Sequence, residues 1–511
     1  MRRFSQFLST LLVFALACCL FGGCGGNNAQ PPALSSSQQQ QVSSTKTAEN
    51  TPDDLKPATL IMYLIGDPAK NYDDVLAEFN KHAQADLNVT LEVVWVGWGD
   101  FDTKFPLVLS SGEPVDLIYT ATWTDFYSLA QKGAFLPIEE LGPTYAPESF
   151  RKQSKDAIEQ ATVNGHIYAL AATYADYEQF GYIVRGDLMK KYGMTEIKAI
   201  DDYGEYLKNV ARDDPEIDPA GFFGSENILD CIYLYNQSLY PASGAWDTNS
   251  PFWINVNTNE VVNFLEFPGI LDYFEKMKEL SDAGCWSKSV LSNKNNNMFL
   301  EDKSASAIHN LDTWTNVYMA HEGYDIKYYP CWPYSYIPNF MSNAMAVPSS
   351  SKNPERALML LEKMRNEPIY YNLLTYGIEG VNFSLTDDNQ LIATDPDIFM
   401  PEGYCSWGFK DVELVKPLVG SPPTIANIRK EIADSAISNP FTSFTPDIES
   451  VKSEFSAITN VMIQYEGPLS FGYVDNPEQG LQTLKDQLKK AGAEKVLAEL
   501  QRQVNEYLNK R

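Results

Sequence analysis

The sequence predicts an α/β chain folded as two lobes, each a mostly parallel sheet flanked by helices, with a cleft between them. Three observations predict it. At 511 residues the chain exceeds what one apolar core serves, so two domains are expected. From Ala58 onward apolar strands alternate with amphipathic helices, the pattern of a sheet covered on both faces. Residues 162–188 then read as two short strands, 166–171 and 179–185, joined by a loop dense in aromatic and acidic groups. Such a loop between β-rich runs suits a chain leaving one compact body for another.

The elements follow in order. Residues 59–65 are an apolar strand, and 71–82 carry Val75, Leu76 and Phe79 at helical spacing. Residues 89–95 are strand-like, and 100–111 form a helix stopped at Gly112. A strand over 114–119 and a helix over 126–133 complete the alternation. Ligands of such sheets sit outside the carboxyl ends of the strands, which places Trp98 and Trp123 at a cleft mouth. Past the crossover, 187–192 and 201–212 are amphipathic helices, and 260–283 carries the stripe Phe264, Leu271, Phe274, Met277 and Leu280. Residues 304–309 read as a returning strand, with 328–330 and 344–347 rejoining the first sheet. Pro354 opens a helix over 354–365. The terminal region, striped through Leu484, Leu488, Val496, Leu500, Val504 and Leu508, breaks at Gly492. The expected lobes are 58–170 with 304–366, and 171–303 with 367–511.

The N-terminus is the most specific signal. Arg2 and Arg3 precede a short apolar run over 10–21, a secretory leader too short for a comfortable membrane span. Its end, Leu20-Phe21-Gly22-Gly23-Cys24, is similar to the bacterial lipobox, so residues 1–23 are expected to be removed and Cys24 lipidated; Cys18 and Cys19 are competing sites. Residues 24–57, rich in Gly, Asn, Gln, Ser, Thr and Pro, form a solvated tether.

Composition excludes some partners. The formal charge of −28 repels nucleic acid and anionic lipid headgroups. Aromatics make 13% of the chain, as suits a surface facing carbohydrate or peptide, or equally well the edges of a core. Cys231, Cys285, Cys331 and Cys405 lie outside the leader without zinc-site spacing, and buried thiols are expected. Enzyme constellations are missing: there is no Gly-x-Ser-x-Gly elbow, His-Glu-x-x-His pair or phosphate-binding Gly-x4-Gly-Lys-Ser/Thr loop. His82, His166, His309 and His321 are isolated. The runs at Asp214, Glu216, Asp218 and at Asp387-Asp388-Asn389 lack the glycine and ligand alternation of a calcium loop. No metal or cofactor is expected.

Several passages resemble the bacterial extracellular solute-binding proteins, receptors of ABC importers, in the LipO-like lipoprotein branch. They are Asn164-Gly165-x-x-Tyr168-Ala169-Leu170 with Arg185-Gly186-Asp187-Leu188, then Asp116-Leu-Ile-Tyr119 through Gly133-Ala-Phe-Leu-Pro137-Ile138. The run from Asn297 to Lys303 leading to Trp314 follows, with Asp302 where glycine is usual, then Pro354-Glu355-x-Ala357. Residues 373–380, 445–461 and 484–508 resemble the LipO-like C-terminal region, although Val381-Asn382-Phe383 replaces a basic-aromatic continuation. The resemblance spans roughly residues 58–511. It implies a two-lobed periplasmic-binding-protein-like fold and a monomeric, lipid-anchored receptor, on the outer face of a bacterial cytoplasmic membrane, delivering a small solute to the transmembrane subunits of an ABC permease.

An oligosaccharide is the expected solute. A sugar ring offers an apolar C–H face to an aromatic side chain and a hydroxyl rim to acceptors. Trp98, Trp123, Tyr174, Tyr177, Trp314, Trp332 and Trp407 supply faces; Asp125, Asp176, Glu178 and Asp312 supply acceptors. Each tryptophan serves a core equally well. Trp314→Ala and Tyr177→Ala are expected to weaken binding without unfolding. Peptides or other polar solutes, a polysaccharide-processing enzyme and an adhesin are the alternatives.

Overall fold

A computed structural model describes residues 55–509 except 174–176, 178, 225–226, 243–248, 296, 322, 337–338 and 438. The leader, Cys24 and nearly all of the tether lie outside the described residues. The first sheet orders its strands Val89–Val96, Ala58–Ile65, Leu117–Thr120, Ala344–Ala346 and Ala169–Ala171. The first two pair in parallel from Ala58 against Val89 to Ile65 against Val96, and Leu117–Thr120 joins in parallel. Ala344–Ala346 runs antiparallel to both neighbours. The helix Tyr72–Leu87 buries Val75, Phe79, Ala83 and Leu87, one residue per turn on the face turned to the sheet. It ends on Asn88 in the left-handed region, where asparagine is tolerated. The helix Phe101–Ser111 ends on Gly112 as the sequence predicts.

The unit Thr51–Arg511 is continuous, and its apolar side chains gather into two large clusters. One holds buried residues from Leu60 to Ala171 and from Met341 to Phe409. The other holds Tyr182 to Cys285, Trp286, Cys331 to Tyr336, and Phe441 to Val504. A smaller third cluster, with Ile183, Trp314, Val317, Tyr328 and Ile432, covers the opposite face of a strand shared with the second. The chain therefore crosses between bodies near 172–180, 332–341 and 410–432. The crossings are tied together: Gln179 Nε2 donates to the Trp332 carbonyl at 2.8 Å, and Ser335–Tyr336 pairs in parallel with Ala436–Ile437.

These clusters correct the expected boundaries. Residues 306–309 and 327–330 do not rejoin the first sheet; Ser306–His309 and Lys327–Pro330 flank Gly181–Val184, both antiparallel. Residues 368–409 pack with the first body, through Tyr370, Tyr371, Leu374, Phe383 and Phe409, although 367–511 was expected in the second. Glu260–Asn263 is a strand beside Phe252–Asn255, and the helix begins only at Ile270. Thus the mostly parallel sheet is met in the first body, whereas both three-stranded ladders of the second run antiparallel. Its strands arrive by crossovers and hairpins, without the helical return that parallel neighbours need.

Three helices, Lys452–Ser470, Pro477–Ala491 and Ala493–Asn509, close the second body. Gly492 stands between the last two with φ of 93°, a conformation that favours glycine. The first of these helices is bolted down by a buried acid pair. Asp230 is 2% exposed and Glu466 4%, and the Ser470 hydroxyl meets both, at 2.5 Å from Asp230 Oδ2. Tyr273 donates to the other Asp230 oxygen. One serine hydrogen cannot serve two carboxylates, so one acid carries a proton. Burial is the main cause pushing the Asp230 carboxyl upward, against the hydrogen bonds of Glu466, Ser470 and Tyr273.

The unfolded chain releases this proton in the ordinary carboxylate range and the folded chain holds it to higher pH. Stability is therefore lost as pH rises above about 4 through the folded value. Asp230→Asn is expected to flatten the dependence of melting temperature on pH between about 4 and 8. A slope equal to wild type would show that Asp230 ionises as a surface acid does. Cys231, Cys285, Cys331 and Cys405 are all buried, and burial pushes the Cys285 thiol up to about 12.

Candidate functional site

The parallel strands of the first sheet bring their carboxyl ends to one edge. Strand Ala58–Ile65 is followed by Gly66, whose φ is 102°. A Cβ there would sit 3.2 Å from the Trp98 indole nitrogen, so the ring lies against bare backbone. Strand Val89–Val96 leads into Trp98, and Leu117–Thr120 into the short turn Thr122–Thr124 that carries Trp123. The third ring comes from far along the chain. Trp407 rides on the turn Ser406–Phe409, where Gly408 presses so closely on Met345 and Tyr119 that a Cβ would lie 2.8 Å from each.

Together these rings form one aromatic wall. Trp98 stacks on Trp123 at 6.1 Å and on Trp407 at 5.9 Å, at interplanar angles of 20° and 27°. Trp123 donates to the Ser342 carbonyl at 2.9 Å and Trp407 to the Glu402 carbonyl at 3.0 Å, so both are held by edge and by face. Trp98 remains 45% exposed. Phe101 and Tyr119 buttress the wall from behind. Carboxylates border it: Asp125 is exposed beside Trp123, and Asp102 is held above the usual range by burial and by the charge of Asp125.

The helix Leu311–Ala320 is begun by the Asn310 side chain accepting from Thr313 N. Asp312 is in its first turn, 3.0 Å from Arg429 and 3.8 Å from Lys410. Surrounding protein disfavours its charge, yet Lys410 and Arg429 prevail and hold it below the usual carboxylate range. His309 stacks on Phe180 nearby, and its Nδ1 accepts from Asn310 N.

Of the expected site residues, the structure thus joins Trp98, Trp123 and Trp407. Trp314 and Trp332 leave the site. Each is 2% exposed; Trp314 packs on Tyr328 and donates to the Ile326 carbonyl, while Trp332 stacks on Tyr235 at 4.9 Å beside the tied crossings. Trp314 was expected by the cleft as the start of a helix entering the other body and Trp332 from an aromatic-rich run, and the side chains that cover them, Tyr328 and Tyr235, come from other elements. Tyr177 is half-buried against the third cluster. Tyr174, Asp176 and Glu178 lie outside the described residues. Sequence reasoning missed Glu402 and Lys410, whose side chains pair at 2.8 Å; nothing local marks either, because the partner comes from a non-adjacent turn. The acidic runs serve as turns and pairs: Asp218 accepts from Ala220 N and Gly221 N, and Asp214 pairs with Lys191. Among the described residues no helix is long and apolar enough to cross a membrane.

A carbohydrate ABC transporter substrate-binding protein of Streptococcus pneumoniae is 27% identical over 472 residues, covering 88% of this chain and 90% of the relative. Lipoprotein LipO of Bacillus subtilis is 20% identical over 436 residues, covering 80% and 85%. The N-glycan transport solute binding protein NgtS of S. pneumoniae, solved in complex with Man1GlcNAc, superposes with a TM-score of 0.75 at 24% identity. That match covers 89% of this chain and all of the other. Residues 440–509 match a domain of unknown function, DUF3502. Residues 66–368 match the bacterial extracellular solute-binding proteins, and the chain belongs to that family.

Proposed function

We propose that the protein is the capturing receptor of an ABC-type importer, that its ligand is an oligosaccharide, and that a lipid on Cys24 holds it at the outer face of a bacterial cytoplasmic membrane. The observation that carries this reading is the wall of Trp98, Trp123 and Trp407, gathered from three separate turns onto the strand ends. Trp98, 45% exposed, offers apolar indole surface to the C–H face of a sugar ring, with Trp123 and Trp407 stacked on it as support, and Asp125 and Asp102 offer acceptors to the hydroxyl rim. Tyr177 and its neighbours Tyr174, Asp176 and Glu178 belong to the same ligand by their place on the first crossing. The relative's name and the glycan held by NgtS favour carbohydrate.

Capture works by differential contact: a sugar touching both walls stabilises the closed arrangement of the bodies. The ligand is passed on to the permease unchanged. Titration of the Thr51–Arg511 unit with mannose- and N-acetylglucosamine-containing oligosaccharides is expected to give saturable binding near 1 μM, about −8 kcal/mol. The ligand should be recovered intact by mass spectrometry; cleavage, or indifference to every oligosaccharide tried, overturns the reading. Cys24→Ser is expected to release the protein from the membrane fraction into the medium.

A further inference from the structure

We propose that Asp312 is a positioning residue for ligand capture, its carboxylate bridging to Lys410 beside the crossings between the bodies and setting how far the two bodies stand open before ligand arrives. The inference rests on the receptor reading only for its consequence in affinity. The bridge itself stands on geometry.

Lys410 belongs to the first body. Its carbonyl accepts from Thr173 N, and it follows Phe409, buried in the first cluster, on the same turn as Trp407. Its side chain is 7% exposed and meets Glu402 at 2.8 Å. Trp407 donates to the carbonyl of that same Glu402. Asp312 belongs to the second body, on the helix that buries Trp314 and Val317 in the third cluster. Its side chain, 51% exposed, lies 3.8 Å from Lys410 and 3.0 Å from Arg429. Arg429 is on the helix Ile425–Asp434, anchored in the third cluster by Ile432. A connected path thus runs from an aromatic ring of the wall, through Glu402 and Lys410, to a carboxylate of the facing body.

The walls are complementary in charge at a second place. Asp100 of the first body, paired with Lys104, is held low in part by Lys294, which neighbours Asn293, itself bonded to the Phe222 carbonyl in the second body. A half-exposed pair is worth a factor of about two to five in an equilibrium constant. The buried end at Lys410 places this pair toward the upper part of that range, because its charge is less screened.

Small-angle scattering of the ligand-free Thr51–Arg511 unit reads the bridge directly. Asp312→Asn is expected to enlarge the radius of gyration and to weaken oligosaccharide binding about fivefold, with an unchanged melting temperature. Asp312→Glu, which keeps the charge, should match wild type in both. Arg429→Gln leaves Asp312 to Lys410 alone, so it should not expand the protein, whereas a merely structural loss would move both variants the same way. In about 1 M salt, wild type should approach Asp312→Asn. Scattering and affinity of Asp312→Asn equal to wild type would overturn the bridge and leave the receptor reading standing. Expansion of Asp312→Asn in a protein that binds no oligosaccharide would support the bridge and overturn the receptor reading.

Discussion

Trp314→Ala is expected to destabilise the protein by about 3–5 kcal/mol, the cost of removing a large ring from a packed core. The indole is 2% exposed, its ring packs on Tyr328 at 5.4 Å and Tyr318 at 6.2 Å, and its nitrogen donates to the Ile326 carbonyl at 3.2 Å. Truncation leaves a cavity and an unpaired carbonyl, which add to the loss of transfer energy. The fraction that remains folded should bind ligand as wild type does. Urea unfolding followed by circular dichroism measures the first effect, and titration well below the midpoint the second. A variant of normal stability that no longer binds would return Trp314 to the cleft. Trp314→Phe, which keeps most of the volume, should recover more than half of the loss.

The opposite behaviour is expected of Trp98→Ala: affinity for oligosaccharide falls at least about tenfold, or about 1.4 kcal/mol, while the melting temperature hardly moves. Trp98 is nearly half exposed, so its removal uncovers little core, yet it is the ring that joins Trp123 to Trp407. Aromatic contacts of this kind contribute about 0.5–1.5 kcal/mol each beyond area burial, and Trp98 makes two within the wall besides any with a sugar. Calorimetric titration beside a thermal melt separates the effects. Full affinity in Trp98→Ala would move the sugar platform elsewhere. Trp314 and Trp98 look alike in the sequence, each just past a strand; only the packing around them distinguishes their roles.

What was legible in the chain depended on short-range physics. Gly112 and Gly492 end their helices in the left-handed region, and Pro354 opens the helix Pro354–Asn366, whereas the helix read over 71–82 continues to Leu87. At Gly112, Gly492 and Pro354 the residue's own backbone preference is enough. The first sheet was legible as well, because strand, helix and strand succeed one another at the spacing that parallel pairing requires. What was missed depended on partners distant in sequence. Glu260–Asn263 is a strand because Phe252–Asn255 pairs with it and Gln501 of the terminal helix satisfies Val261 N at 2.7 Å. The apolar stripe starting at Phe264 drew the helix expectation back over those residues.

The amino-acid sequence by itself determined that this chain is α/β, that it crosses between bodies near residue 175, and that its tryptophans and acids suit a polar, ring-shaped guest. Tertiary structure alone decided which tryptophans are covered and which stay open to solvent. It buried Trp314 against Tyr328 and Trp332 against Tyr235, left Trp98 open, and carried Trp407 across from some 300 residues away to stand beside it. The physical reason is that burial belongs to the pair of surfaces that meet. An indole suits a core and a sugar face alike, and the long-range pairing of strands and crossings settles which one it finds.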